Sequence, residues 1–583
     1  MIRLVLPLGG CLFLAACSPD TVADPTDGGT TTTTATTAAT TVPGTGSTGD
    51  DSPGSTGDGF GSTGAPTTGD VEEEVFEPAP GGLRRLQRHQ YTGSIRYLFG
   101  HAAAAAAAPP EDYSLHGFDA IGAAELSLQE SAIEQLETSA RAIAVATIAD
   151  RSTLGGHVPC VLDGDPDDSC YDAVAVALGR LAWRRPLTAD EVDSMVAIAK
   201  QAHTWGGNFA TGLQYELMAL LQSPYFIYLV EVGEPDPDDP AVRRLTPTEL
   251  AARMSFFLLG RTPDAELLAA AEAGELVTDD DLRALAEAML ARPEARATLS
   301  TFYSELFQLR DLSTLNKSNE LFPQFTPELA YAMKYETLRL IEDIVWEQDG
   351  DFRTLIDADY TYVNPALAAL YGLPSPPGQG FAKVDLVAEH GRAGLLGQAS
   401  FLARFAHPAE TSPTRRGLFI RTKLLCEKVP PPPPGVDASL PTEDPDEPQT
   451  MKQKLVQHME DPSCSGCHVQ LDPLGFALEN YDPIGAFRTL DDGLAIDPSA
   501  SIPDLGEVAS ARDLADLLAA DPRVTACVIK NFVRGSLGHL EGLGEIDVLD
   551  DLEADFVAND HRLQHLLVEL TTSPVFRAVG APK

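Results

Sequence analysis

Short helix-start signatures do most to fix what this chain can fold into. Thr188-Ala189-Asp190-Glu191 and Thr246-Pro247-Thr248-Glu249 are capping boxes, in which a threonine hydroxyl and a glutamate three residues on satisfy each other's backbone N–H. Pro247 stands at the first helical position, where a missing N–H costs nothing. Thr326-Pro327-Glu328 and Ser510-Ala511-Arg512-Asp513 open helices in similar fashion. After Thr326, residues Leu329, Met333, Leu340, Ile341, Ile344 and Val345 lie on one helical face; after Thr246 the pattern runs through Met254, Phe257 and Leu258 to Gly260. Leu83-Arg84-Arg85-Leu86 leads into a stripe of Tyr91, Ile95, Leu98 and Phe99 that stops at Gly100. Leu126–Ile148, Tyr171–Trp183 and Met451–Met459 also read as helices, whereas alternating strand-like runs are scarce. The expectation is a mainly α, multi-segment helical ectodomain.

The N-terminus decides where such a chain goes. Arg3, an apolar run from Leu4 to Leu14 and the small residues before Cys17 form a secretory signal. Ending on Cys, the site resembles the bacterial lipobox, which implies that Cys17 becomes the lipidated first residue and, with Ser18 following, that the outer membrane is the destination. From Ser18 to about Pro80 the chain is Thr, Gly, Ser, Asp and Pro; it has almost nothing to bury and is expected to be a disordered tether. No later run approaches the ~18 apolar residues of a span, and Ala102–Ala108 ends in Pro109-Pro110. The chain is thus expected to be anchored, not spanning. A formal charge of −45 argues against a nucleic-acid partner. The pairs Arg84-Arg85, Arg184-Arg185, Arg243-Arg244 and Arg415-Arg416 therefore read as internal salt-bridge partners, and so does Glu336, in mid-helix.

Among eight cysteines, Cys11 leaves with the signal and Cys17 takes lipid. Cys160 and Cys170 flank a short acidic loop and are expected to bridge in an oxidising compartment. Asp163, Asp165 and Asp167 in that loop do not make a calcium site, because Val174 stands where a closing Glu is needed. Cys426 and Cys527 form one remaining pair; a long-range disulfide suits the count, and spacing alone does not establish it.

Cys464-Ser465-Gly466-Cys467-His468 has the spacing of c-type haem attachment. Two thiols one helical turn apart can each form a thioether to a vinyl group, with His468 as proximal ligand. A structural zinc site on His458, Cys464, Cys467 and His468 is the alternative, and a plain Cys464–Cys467 redox pair or disulfide a third reading. The sixth haem ligand is open among His407, His458, Met459, His539, His561 and His565, since no Met follows Met459. A His there would lower the iron potential relative to Met. Three function classes follow: a tethered electron-transfer cytochrome with a redox partner; a mono-haem oxidoreductase; and a surface binding or scaffold protein, serving polysaccharide capture for example, with a structural motif. No nucleophile–base constellation names a hydrolase.

Several further strings occur in a fixed order: Arg84-Arg85-Leu86, Trp183-Arg184-Arg185-Pro186-Leu187-Thr188, Leu220-Leu221-Gln222-Ser223-Pro224-Tyr225-Phe226, Arg253-Met254-Ser255-Phe256-Phe257-Leu258, Thr411-Ser412-Pro413 with Arg416-Gly417, Leu425-Cys426 before the proline run at 430–434, and the Cys464–His468 motif before Asp472-Pro473-Leu474-Gly475-Phe476. Together they resemble the planctomycete-type surface proteins that combine domains of unknown function with a planctomycete cytochrome C domain. The resemblance implies helical domains over 81–125, 126–238, 240–375 and 505–583, with a cytochrome c-like module over 385–495. Two internal echoes cut across that division. Arg84-Arg85-Leu86 with Ile95 is matched by Arg243-Arg244-Leu245 with Met254, and Ser223-Pro224-Tyr225-Phe226 by Ser573-Pro574-Val575-Phe576. They mark either duplicated units or merely similar helix boundaries.

Overall fold

Each helix-start signature caps a helix in the computed structural model. The Thr188 hydroxyl accepts from the Glu191 N–H at 3.3 Å while the Glu191 carboxylate accepts from the Thr188 N–H at 2.8 Å; Thr246 and Glu249 repeat the exchange at 3.3 and 2.8 Å. Thr326 and Ser510 each accept one N–H at 3.2 Å. The structure describes residues 76–164, 166–430, 448–459 and 464–582. The signal peptide, Cys17, the expected tether up to residue 75 and the prolines from Pro431 lie outside the described residues.

The architecture is mainly α. The helices that matter below are α1 (Arg88–Phe99), α2 (Glu130–Ala149), α3 (Ala189–Gly206), α4 (Phe209–Gln222), α5 (Pro247–Leu259), α6 (Pro327–Glu342), α7 (Pro413–Phe419), α8 (Met451–Met459), α9 (Ser465–Phe476), α10 (Pro522–Leu537) and α11 (Leu563–Thr572). α6 and α7 each continue into a single π-helical turn, at Asp343–Glu347 and Ile420–Leu424. Strands are few and short: β1 (Gly82–Arg85), β2 (Tyr228–Glu231), β3 (Arg243–Arg244) and β4 (Ala578–Val579) are those that join distant parts of the chain. No helix of the described residues is long and apolar enough to cross a membrane.

Two cores organise these elements. Leu86, Tyr91, Ile95, Ile143, Leu213 and Phe226 belong to one, built by α1, α2, α4 and their neighbours. Met254, Met333, Leu340, Leu478, Phe532 and Phe576 belong to the other, larger one. α5 is the wall between them. Its Ala252 and Phe256 face the first core, and its Met254 and Leu258 the second, which is why this helix is apolar nearly all round.

The two sequence echoes turn out to be one device used twice. Leu83-Arg84-Arg85, the lead-in to α1, lies in strand β1, paired antiparallel with β2 in the register Arg84↔Leu229 and Arg85↔Tyr228. β3 pairs with β4 in the matching register, Arg243↔Val579 and Arg244↔Ala578. The Leu86 N–H then donates to the Ile227 carbonyl at 2.8 Å, as the Leu245 N–H does to that of Arg577 at 3.0 Å. In both cases a Ser-Pro-x-Phe turn precedes the exit strand: Ser223 and Ser573 are each the N-cap of a four-residue helix with Pro at its first position.

The arginine pairs divide. Arg84, Arg85, Arg185, Arg244 and Arg416 form ion pairs with Glu231, Asp112, Glu191, Asp236 and Glu479. Arg184 and Arg243 instead donate to main-chain carbonyls, Arg184 to those of Tyr225, Phe226 and Tyr228. Among the described residues none forms a salt bridge with Glu336. It is fully buried and accepts from the Thr361 hydroxyl and the Tyr371 phenol, both at 2.7 Å, so its neighbours were chosen by tertiary packing and not by helix-surface pairing.

Candidate functional site

The Cys-x-x-Cys-His motif occupies the start of α9. Cys464 is the N-cap, and the Cys467 and His468 N–H groups both turn back to the Cys464 carbonyl, at 3.4 and 3.3 Å. This first helical turn sets the two thiols three residues apart and the imidazole four residues from Cys464, all toward one side of the helix. Both cysteines are half-buried and neither is in a disulfide. Val469, the next residue, is 44 % exposed, so apolar surface stands open beside the motif.

The imidazole is oriented from below. Asp472, one turn further along α9, is fully buried and lies with Oδ2 2.9 Å from His468 Nδ1. A carboxylate only accepts, so Nδ1 carries the proton and Nε2 keeps the lone pair that a ligand bond would need. The hydrogen bond to Asp472 raises the imidazole pKa above its ordinary value, against the opposing effect of burial. Asp472 Oδ1 in turn accepts from the Thr414 hydroxyl at 2.7 Å.

Thr414 reaches Asp472 because α7 and α9 cross without side chains between them. A Cβ on Gly417 would stand 2.0 Å from the Leu471 carbonyl oxygen, and one on Gly475 2.2 Å from that of Pro413. Beneath the crossing, fully buried Arg416 donates to the Leu478 carbonyl at 2.9 Å and pairs with Glu479 at 3.5 Å, and Glu479 also accepts from Thr411 at 2.8 Å. Thr411-Ser412-Pro413, Arg416-Gly417 and the Asp472–Glu479 stretch are therefore one interlocked unit. Its far end is fixed by the disulfide between Cys426 and Cys527, which joins the chain just past the π turn to α10. A second disulfide closes Cys160 to Cys170.

These residues suit covalent haem: two half-buried thiols at attachment spacing and a histidine whose tautomer is already set. A zinc site needs His458, Cys464, Cys467 and His468 to converge. Among the described residues no three His, Cys, Asp or Glu side chains do so, and the His458 side chain is not among them. The structure gives each of the other proposed sixth ligands its own surroundings. Met459 packs on the small cluster of Met451, Leu455 and Phe476. His539 and His565 sit 3.0 and 2.6 Å from Glu545 and Asp555. His561 lies against Phe556 and Phe352, and the main chain of His407 accepts from Lys317 at 3.0 Å.

Asp472 belongs to the Asp472–Phe476 string that follows the motif. Its signal was the i, i+4 spacing from His468, readable once the motif is placed on a helix. A second grouping left no signal at all. His89, Asp112, Asp119, Glu305 and Arg310 line a cavity of about 640 Å³ away from the motif. Burial, aided by Arg310, holds the His89 imidazole down at about 4; burial and the neighbouring Asp119 push Glu305 up to about 7. The residues come from three widely separated stretches, so no linear spacing links them.

Five family models match the chain, each described as a protein of unknown function: DUF1587 over residues 84–149, DUF1595 over 170–231, DUF1592 over 245–373, DUF1588 over 392–491 and DUF1585 over 506–576. The 392–491 match, which contains the Cys464–His468 motif, is the planctomycete cytochrome C domain among them. No curated protein and no solved structure matches the chain.

Proposed function

Since the chain belongs to the planctomycete-type proteins built from these five domains, we propose that it is a surface-anchored c-type cytochrome carrying one covalent haem. Cys464 and Cys467 provide the thioether sulfurs and His468 Nε2 the proximal ligand. Bound there, haem c supplies a one-electron iron couple whose potential its axial ligands and burial set. The chain's own part is to attach, orient and tune. α9 presents the three residues on one helical turn, Asp472 holds the imidazole, and the α7–α9 crossing with the Cys426–Cys527 link keeps that geometry rigid. Lipid on Cys17 would tether the chain at the outer membrane, and the stretch from residue 18 to 75 would give the redox module reach toward a partner protein; from Glu77 on the chain is already held to the body, its N–H donating to the Gly544 carbonyl at 3.1 Å.

The observation that carries this reading is the Asp472–His468 hydrogen bond behind a helical Cys-x-x-Cys-His turn: it orients an imidazole for a ligand, which a simple dithiol pair does not need. The test is a denaturing gel of the mature protein stained for haem, because only thioether-linked haem stays with the chain. A stained band that disappears in a Cys464→Ala/Cys467→Ala variant supports the proposal. A colourless protein with one equivalent of zinc rejects it for the structural site, and a protein with neither leaves a scaffold role.

A further inference from the structure

The buried carboxylate behind His468 bears on more than ligand orientation. Asp472 is 0 % exposed, and its two oxygens meet one hydroxyl, Thr414, and one imidazole, His468. Among the described residues no lysine or arginine pairs with it. Its negative charge therefore falls mainly on the ring that would ligate iron, in surroundings where charges interact far more strongly than in water. Carboxylate partners of this kind make an imidazole a more basic ligand. Added negative charge near iron favours the ferric state, which carries one more positive charge than the ferrous.

Resting on the haem reading above, we infer that Asp472 is the positioning residue that sets the site at low potential, and that Thr414 moderates it. By donating to Oδ1, the Thr414 hydroxyl draws charge away from the His468 side of the carboxylate. The two residues therefore act on the iron in opposite directions. Their meeting depends on the Gly417 and Gly475 contacts, which bring α7 within hydrogen-bond reach of α9. The protein would then act as an electron donor to acceptors of higher potential.

The test uses the full-length, haem-loaded protein and reads the iron midpoint potential by spectroelectrochemistry, with thermal unfolding as a check on structure. Asp472→Asn keeps the shape and loses the charge, so the midpoint should rise. Thr414→Val keeps the shape and loses the donor, so the midpoint should fall. Opposite signs are the signature, since general loosening of the site would move both variants the same way. If both variants keep haem and neither moves the potential, or both move it in one direction, the assignment is overturned. Should Asp472→Asn fail to fold, the sign for Thr414→Val alone decides. Absence of haem from the unsubstituted protein would instead overturn the proposed function, and this inference with it.

Discussion

Glu231 and Arg253 form a buried ion pair at 2.8 Å that ties one strand clasp of this protein to the other. Glu231 ends β2, in the first clasp, and also takes Arg84 of β1 at 3.3 Å. Arg253, on α5, donates as well to the carbonyl of Phe576, at the exit of the second clasp, at 2.7 Å. The two halves of the duplicated device thus share one carboxylate where their cores meet.

Removing that carboxylate's charge should be costly. Burial pushes the Glu231 pKa up, but Arg253 and Arg84 outweigh it and hold the group at about 2. Its contribution is fully present above the unfolded value near 4.5 and is lost as pH falls through about 2, a span worth about 3 kcal/mol. Glu231→Gln should lose about 3–5 kcal/mol at pH 7, because two guanidinium groups remain buried beside a neutral partner. Denaturant unfolding of the variant and the unsubstituted protein at pH 7 checks the substitution, and a series from pH 7 down to pH 2 checks the linkage; a loss under 1 kcal/mol at pH 7 would refute the linkage role.

Glu336 should produce the opposite pH dependence. Burial raises its pKa to about 7, against the lowering effect of the Tyr371 and Thr361 hydroxyls. Its contribution is therefore full below about 4.5 and lost as pH rises through 7, again about 3 kcal/mol over the span. Unfolding free energies from pH 4 to 9 should show this fall, and Glu336→Gln should flatten it. An unchanged slope in the variant would place the titrating group elsewhere.

The two crossing glycines and the motif glycine should respond differently to alanine. At Gly475 an added Cβ meets the Pro413 backbone, so Gly475→Ala should cost about 2–3 kcal/mol by overpacking. Around Gly466, between the two cysteines, nothing lies within 4 Å of an added Cβ. Gly466→Ala should be neutral or stabilise by up to about 1 kcal/mol, as expected in a helix. Melting curves of the two variants make the comparison; equal effects would contradict the close helix crossing.

Loss of the Cys426–Cys527 link should be felt through the unfolded chain. The bond closes a loop of 101 residues, for which chain entropy predicts about 4–5 kcal/mol, with about 2–5 kcal/mol usual in practice. A Cys426→Ala/Cys527→Ala variant should unfold at correspondingly lower denaturant concentration. An unchanged midpoint would mean that the unfolded state is already held compact between these points.

Features whose physics is complete within four residues could be read from the sequence alone. The boxes at Thr188 and Thr246 are settled by groups three positions apart, and the stripe from Leu329 to Val345 by helical period, so both stand in the structure where the sequence puts them. The attachment spacing of Cys464, Cys467 and His468 is equally local. Features that depend on remote partners were decided only by the tertiary structure. Leu83–Arg85 becomes a strand because Tyr228–Glu231 offers its open backbone a ladder. The echoes at Arg243 and Ser573 became a repeated clasp only when the registers matched. Glu336 found two hydroxyls instead of a charge, and Asp472 gained Thr414 across a crossing that two glycines permit. In each case the side chain or strand had several partners open to it in the sequence, and burial of the cores selected one by excluding water from the rest.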